Sequence, residues 1–375
     1  MRRVLLVALL LGAQVSAASA YERVNAVFVN PGKTGEVFWD LVSATMRAAG
    51  RQLDIDVEIL NSERNRRNMI DLGMGVVTRS TPPDYLIIVN EEAAVTPVIE
   101  AANAAGIKTF LLSNAFAGAE ADRYGRPRTV LRHWIGSLTP DMHAAGTRMT
   151  RALVEAGMTQ KRFGADGKLH LLALGGDELT PNSIARTAGF TSFIEDRPDV
   201  VVDRLLFANW NAVEAETLTD RYLRWAHRTG IRPSGIWAAN DPMALGAIKA
   251  IEANDLAAGR DIDVVGLNWS PDAIAQVAAG RMILTDGGHF LSGGWAIVML
   301  RDHANGCDFA ETRADQSFPL ASLDRSNLAD LAERIEGRKF DDIRFGQFLA
   351  GPGNRCGRYD FSLPALLRAW HPSPR

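Results

Sequence analysis

Two successive strand–turn–helix patterns in segment 233–272 constrain the fold of this chain most strongly. Each pattern consists of a short apolar strand, a polar turn and the start of an amphipathic helix. The first turn carries Asn240 and Asp241, and the second carries Asn268 and Trp269. Because ligands bind outside the carboxyl ends of the strands in open α/β sheets, these turns predict a ligand site.

Helix capping is a competing explanation for the first turn. Aspartate is favoured at the N-cap of a helix and proline at its first position, so Asp241 and Pro242 could serve only to begin the helix. Capping does not explain Asn240, nor a second turn that carries Asn268 and Trp269. We therefore assign the cap to Asp241 and expect Asn240 and Asn268 to face a ligand.

Strand and helix patterns alternate along most of the chain. Unbroken apolar runs such as Tyr85–Val89 are typical of buried parallel strands, and the helices between them predict right-handed crossovers. Residues 115–130 interrupt the alternation, which resumes at Trp134. The sequence therefore predicts an α/β fold of two doubly wound parallel-sheet lobes, joined by a hinge with a ligand cleft between them.

The first 20 residues have the pattern of a secretory signal peptide. Arg2 and Arg3 form a basic start, residues 4–12 are an apolar run, and residues 16–20 are small. The apolar run is too short to span a bilayer, which needs about 20 residues. We therefore expect cleavage and release into the periplasm.

Charge and length restrict the class of protein further. Removing the signal peptide takes away two arginines and lowers the formal net charge from −3 to −5. A mildly acidic surface with mixed charges argues against nucleic acid and anionic membranes as partners. The remaining chain of about 355 residues is longer than one hydrophobic core usually organises, which indicates two lobes.

The interruption and the alternation together predict a division of the chain. We expect a signal peptide at residues 1–20, an N-terminal lobe of residues 21–136 and about 288–314, a C-terminal lobe of residues 137–287 and about 315–330, and an extension packed on the lobes at residues 331–375.

Cys307 and Cys356 are the two cysteines of the chain. In an exported protein such a pair predicts a disulfide, which would tie the C-terminal tail to the preceding helix. Two separate buried thiols are the alternative. Two cysteines and seven scattered histidines make no metal-ligand spacing, so we expect neither a metal nor a cofactor.

Three motifs, in this order along the chain, resemble the type I periplasmic binding proteins. Residues 184–190 are similar to that family's R-x-x-G-F segment, residues 239–246 to its strand–turn–helix signature, and residues 264–268 to its V-V-G-x-D element. The resemblance covers about residues 23–310 and is greatest to the sugar-binding group of ABC transporters, which includes the ribose and galactose receptors and the autoinducer receptor.

The resemblance implies roles for individual residues. Arg186 would be the hydrogen-bonding fork to ligand hydroxyls, and Asn240 a polar contact from the second lobe. Phe38 and Trp39 would stack on the ligand ring. The matching strand end, where sugar receptors often carry Asp-Arg, holds Ser113 and Asn114 here, and Asn268 stands where the family usually has aspartate.

Further candidate ligand contacts follow from position. Trp210 and Trp269 lie at predicted strand ends, where an aromatic face can cover the apolar side of a sugar ring; packing in the core is the alternative for each. For His289 the resemblance adds that the segment with Asp286 lies where a hinge strand of that family passes the cleft, and plain turn chemistry is the alternative.

The sequence thus predicts an exported, monomeric receptor that closes on a small polar ligand and delivers it to an ABC transporter permease. A receptor that serves a membrane histidine kinase or chemoreceptor is the alternative. An exported hydrolase or carbohydrate-binding scaffold is a third possibility, which the lack of a catalytic motif such as Gly-x-Ser-x-Gly disfavours.

Overall fold

The computed structural model describes residues 23–309, 314–351 and 357–370. The predicted signal peptide and Cys356 lie outside the described residues. Cys307 is buried, and its pairing with Cys356 stays a prediction.

The described residues form two six-stranded sheets, as the alternation of strand and helix patterns predicts. Across the first sheet the strands are β11 (Asp315–Phe318), β5 (Trp134–Pro140), β4 (Lys108–Leu112), β3 (Tyr85–Ile88), β1 (Val24–Asn30) and β2 (Ile55–Asn61). Across the second they are β12 (Ala321–Asp324), β10 (Leu284–Gly287), β9 (Asp263–Leu267), β8 (Gly235–Ala238), β6 (Leu169–Gly175) and β7 (Val200–Phe207). All neighbouring strands are parallel except β12, which is antiparallel to β10. The predicted fold class is confirmed.

Helices connect the strands and cover both sheets. In chain order they are α1 (Val37–Gln52), α2 (Arg66–Val77), α3 (Thr96–Ala104), α4 (Ala119–Tyr124), α5 (Met142–Thr159), α6 (Pro181–Ile194), α7 (Ala212–Thr229), α8 (Asp241–Ala253), α9 (Pro271–Ala278), α10 (Ser292–Ala304), α11 (Ala329–Glu336) and α12 (Leu363–Ala369). None of the helices in the described ranges is long and apolar enough to cross a membrane.

The chain passes between the sheets after β5, after β10 and between β11 and β12, and these three crossings form the hinge. The sequence pattern predicts residues 315–330 as one block of the C-terminal lobe, and the position of β11 corrects this. Asp315 pairs with Ser137 and Phe318 with Pro140, so β11 extends the first sheet, whereas β12 belongs to the second. Nonlocal strand pairing decides this placement, and the pattern of a short isolated strand carries no information about it.

The C-terminal segment contacts both lobes. Helix α11 packs against α9 of the second lobe. Residues 340–348 pack against α1 and α10 of the first lobe, where Gln52 Nε2 donates a hydrogen bond to the carbonyl of Ile343 at 2.8 Å. Trp295 of α10 stacks on Phe361 with ring centroids 4.9 Å apart.

Helices α5 and α6 approach each other closely at two glycines. A Cβ atom at Gly189 would lie 2.1 Å from the carbonyl oxygen of His143, and one at Gly146 would lie 2.1 Å from the carbonyl oxygen of Arg186. Glycine is required here because any side chain would collide with the backbone of the facing helix. This contact holds the backbone of Arg186 against α5.

Candidate ligand-binding site

A cavity of about 890 Å³ lies between the two lobes. Its walls are the segments that follow β1 to β5 of the first sheet and those that follow β6 to β10 of the second. The volume is within the range of small-molecule sites, which is about 300–1,000 Å³. The edge of each sheet at which the strand order predicts ligand binding thus faces the cavity.

Nine of the ten predicted ligand contacts line this cavity. They are Phe38, Trp39, Ser113, Asn114, Arg186, Trp210, Asn240, Asn268 and His289. The structure brings these side chains together from both lobes and from the hinge; their roles in binding stay predictions.

Trp269 is the exception, and the structure corrects its predicted position. The indole is only 1% exposed, and its Nε1 donates a hydrogen bond to the carbonyl of Ala321 at 2.9 Å. The absence of side chains at Gly287 and Gly288 leaves room for the ring, which also packs edge-on against Phe290. Trp269 therefore packs against the crossing after β10 and the start of β12 instead of facing a ligand.

The capping assignment at the first turn was wrong. Asn240 is the N-cap of α8, and its Oδ1 accepts a hydrogen bond from the backbone N–H of Met243 at 2.9 Å. Asp241 is fully buried and links two other segments: it accepts hydrogen bonds from the Ser270 backbone N–H at 2.8 Å and from the Thr285 hydroxyl at 2.7 Å. Asp241 thus fastens the turn after β9 to β10.

Asp241 makes folding stability dependent on pH. Burial raises its pKa to about 6, against the opposing hydrogen bonds from Ser270 and Thr285, while an unfolded aspartate titrates near about 3.9. The folded state therefore binds more protons than the unfolded state between these pH values. The stabilisation that protonated Asp241 contributes is fully present below about pH 4 and is lost as the pH rises through about 6.

We expect Asp241→Asn to remove this dependence. The free energy of unfolding of the wild type minus that of the variant should fall by roughly 2 kcal/mol from pH 4 to pH 7, because asparagine does not ionise. Urea denaturation of both proteins at several pH values measures this. A difference between the two proteins that stays constant over the range would show that Asp241 has an ordinary pKa.

Arg186 lies in the second-lobe wall on α6 and is only 3% exposed. Its Nη1 donates a hydrogen bond to the carbonyl of Ala239, and its Nη2 lies 2.9 Å from the sulfur of Met142. The guanidinium sits over the ring of Trp210, 5.4 Å from the centroid. Burial lowers the pKa of Arg186 to about 10, so the group remains a cation at neutral pH.

His289 and Phe38 join the hinge to the first lobe. Their rings stack with centroids 4.4 Å apart and an angle of 29° between the planes. Burial lowers the pKa of His289 well below its ordinary value, and nearby Arg186 lowers it further, so the imidazole is neutral. Trp39 is 4% exposed and packs edge-on against Phe38, which gives it a structural role beside any ligand contact.

Trp210 is oriented by the loop that follows β6. Its Nε1 donates a hydrogen bond to Asp177 Oδ2 at 2.6 Å, and its ring lies against Gly176, where a Cβ atom would be 2.2 Å from the indole. Asp177 also accepts hydrogen bonds from the backbone N–H groups of Leu179 and Thr180. The ring is thus held in one orientation at the cavity wall.

Asn114 joins the two lobes directly. Its Oδ1 accepts a hydrogen bond from the backbone N–H of Asn182, at the start of α6, at 3.2 Å. The preceding residue, Ser113, is 3% exposed and has a φ of 64°, in the left-handed region that non-glycine residues rarely adopt. Such strain is common at functional sites.

Among the described residues that line the cavity, five have a buried side-chain atom without a hydrogen-bond partner. These atoms are Ser62 Oγ, Glu91 Oε2, Ser113 Oγ, Arg186 Nε and His289 Nδ1. An unpaired buried polar atom costs about 1–3 kcal/mol. Donors and acceptors occur together in this set, and alcohol hydroxyl groups, which both donate and accept, can satisfy all of them.

Sequence reasoning missed several polar residues of the cavity. Glu91 follows β3, Asp177 follows β6, and Arg64 follows β2, and each lines the cavity. The signal was present, because all three are charged residues shortly after a strand of a parallel sheet. The described part of the chain contains no group of three or more His, Cys, Asp or Glu side chains that could hold a metal ion.

A family model described as a periplasmic binding protein domain matches residues 26–308. The chain belongs to the periplasmic binding protein family. Its two parallel-dominated sheets with a cleft between them are those of the type I class, so the resemblance seen in the sequence motifs is confirmed.

Solved structures of periplasmic binding proteins share this fold. A periplasmic sugar-binding protein from Pseudomonas fluorescens is 29% identical, with a TM-score of 0.80, and the match covers 92% of this chain and 100% of that one. The binding protein of the arabinose ABC transporter from Shewanella sp. ANA-3 is 20% identical, with a TM-score of 0.71 and coverage of 84% and 96%. The second likeness supports the fold alone.

Two curated relatives match this chain over a long part of its sequence. The xylitol-binding protein of Mycolicibacterium smegmatis is 28% identical over 215 residues, 55% of this chain and 55% of that protein. The D-apiose import binding protein of Paraburkholderia graminis is 25% identical over 235 residues, 63% of this chain and 66% of that protein. The matched regions therefore span between about half and two thirds of these relatives. Both relatives are binding proteins, as is the family.

Proposed function

We propose that this chain is a periplasmic receptor that closes its two lobes on a sugar or polyol and delivers it to an ABC importer. The observation that carries this proposal is the set of five unpaired polar atoms around one interlobe cavity. A ligand with several hydroxyl groups satisfies both the donor Arg186 Nε and the acceptor Glu91 Oε2. The apolar C–H faces of the same ligand can pack against the rings of Phe38 and Trp210.

Domain closure follows from where the contacts lie. Phe38 and Ser113 belong to the first lobe, Arg186 and Trp210 to the second, and His289 to the crossing between them. A ligand that contacts all of them binds the closed arrangement better than any open one, and this difference in affinity drives closure. Binding and release, with no chemical change to the ligand, is the activity that we propose.

Export to the periplasm is part of the proposal. The basic, apolar and small-residue regions in residues 1–20 support a cleavable signal peptide. The family match supports the same location. A permease of the ABC class is the proposed partner, because relatives of this chain are named for import or for ABC transporters.

A panel of neutral compounds tests the ligand class. Xylitol, D-apiose, L-arabinose, D-allose and myo-inositol are chosen because proteins of this fold are named for binding them or their furanose forms. We expect at least one to raise the melting temperature, since a ligand at about 100 times its Kd adds about 2.7 kcal/mol to the free energy of unfolding. The compound should be recovered unchanged. Conversion of the compound would contradict a receptor, and no response to any of the five would contradict the ligand class.

A further inference from the structure

Glu91 borders the first-lobe wall of the cavity, at the carboxyl end of β3, and its side chain is 15% exposed. Its Oε1 accepts a hydrogen bond from Arg64 Nη1 at 2.6 Å. Its Oε2 is buried, and no donor in the described ranges reaches it. Buried carboxylate oxygens are normally hydrogen-bonded, so this one is expected to have a partner that the chain itself does not supply.

The neighbourhood of Glu91 is net negative. Arg64 is shared, because its Nε also donates to Glu36 Oε2 at 2.9 Å. Burial raises the pKa of Glu91; Arg64 opposes this, and the carboxylates of Glu36, Asp177 and Glu92 raise the pKa further. Of these, Asp177 belongs to the facing lobe. A ligand group that donates a hydrogen bond is therefore favoured at this end of the cavity, and an anionic ligand group is disfavoured.

The backbone beside Glu91 is strained. Glu92 and Ala93 have φ values of 52° and 56°, in the left-handed region that side chains disfavour. Two consecutive residues of this kind persist where the surrounding structure imposes them, and they are concentrated at ligand sites. An ion pair with Arg64 alone needs only Oε1 and explains neither the strain nor the unpaired oxygen.

We propose that Glu91 is a specificity-determining residue whose Oε2 accepts a hydrogen bond from a hydroxyl group of the ligand. Because it rests on the proposed function, this inference assigns the first-lobe end of the cavity to one hydroxyl of the same sugar or polyol. The carboxylate can only accept, so it selects for a hydroxyl at this position and against a hydrogen or a carboxylate.

Isothermal titration of Glu91→Gln with each of the five panel compounds tests the proposal. Glutamine keeps the size of the side chain and an oxygen for Arg64, but it presents an amide NH₂ where Oε2 lies. Glu58→Gln is the matched control, because Glu58 is also paired with an arginine of the first lobe, Arg79, yet lies outside the cavity. We expect Glu91→Gln to weaken the tightest-binding compound at least tenfold and Glu58→Gln to change its affinity less than twofold.

The pH dependence supplies a second readout. Because burial raises the pKa of Glu91, wild-type affinity should fall several-fold as the pH is lowered from 8 towards the ordinary carboxyl range and protonation removes the charge of the acceptor. The affinity of Glu91→Gln should vary less with pH. If Glu91→Gln binds within twofold of the wild type and has the same pH profile, Glu91 is not a ligand contact. If the wild type binds none of the five compounds, the proposed ligand class fails and this inference fails with it.

Discussion

Replacing Arg186 with alanine is expected to weaken binding of the tightest panel compound by more than tenfold, with both lobes still folded. The guanidinium is buried and cationic, and its Nε has no hydrogen-bond partner among the described residues. Hydrogen bonds to charged groups contribute about 1.5–3 kcal/mol each, and one such bond accounts for a tenfold change in Kd. Isothermal titration measures the affinity, and circular dichroism checks the fold.

Two further variants separate recognition from charge. Arg186→Lys keeps the positive charge but loses the planar fork, so we expect its affinity to stay well below that of the wild type. Arg224→Ala removes an exposed arginine that pairs with Asp220 on α7, and it should leave binding unchanged. An Arg186→Ala variant with unaltered affinity would mean that the ligand binds elsewhere.

Gly189→Ala is expected to destabilise the protein by about 2 kcal/mol or more. The added methyl group would lie 2.1 Å from the carbonyl oxygen of His143, and overpacking of this kind typically costs about 1–3 kcal/mol. Because Gly189 is one turn from Arg186 on α6, the forced separation of α5 and α6 should also weaken ligand binding. Urea denaturation measures the first effect and titration the second.

The same substitution elsewhere provides the control. Gly75 lies in α2, is exposed, and has open space where a Cβ atom would be placed. Gly75→Ala should therefore stabilise the protein by about 0.5–1 kcal/mol, since alanine favours the helix interior. Equal effects of the two substitutions would show that the α5–α6 contact can relax and that the glycine is not needed for close packing.

Local pattern and strand order predicted much of the cavity. Asn240 and Asn268 follow apolar strands of the second sheet, and Ser113 and Asn114 follow a strand of the first, so their place at the ligand-binding edges of the two sheets was expected. The order of the family-like motifs along the chain identified Arg186, on α6, as a further candidate ligand contact. These inferences succeed because the carboxyl ends of parallel strands converge wherever the helices between them cross over with the same hand.

The errors and omissions have a different origin. Because aspartate caps many helices, the local pattern predicts a cap at Asp241, but the partners of Asp241, Ser270 and Thr285, are 29 and 44 residues further along the chain. Because Trp269 follows a strand, the local pattern predicts a ligand contact, but Gly287 and Gly288 leave room for the indole against their own segment. Each depends on contacts between segments that are far apart in sequence.

The sequence by itself therefore determined the family, the two-lobe fold and the edge of each sheet where a ligand would bind, because periodicity and motif order are local properties. The tertiary structure alone decided which atoms at that edge lack a partner. Whether Glu91 Oε2 or Asp241 finds a hydrogen bond depends on which distant groups reach it once the chain is packed. For that reason the chemistry of the cavity emerged only from the assembled lobes.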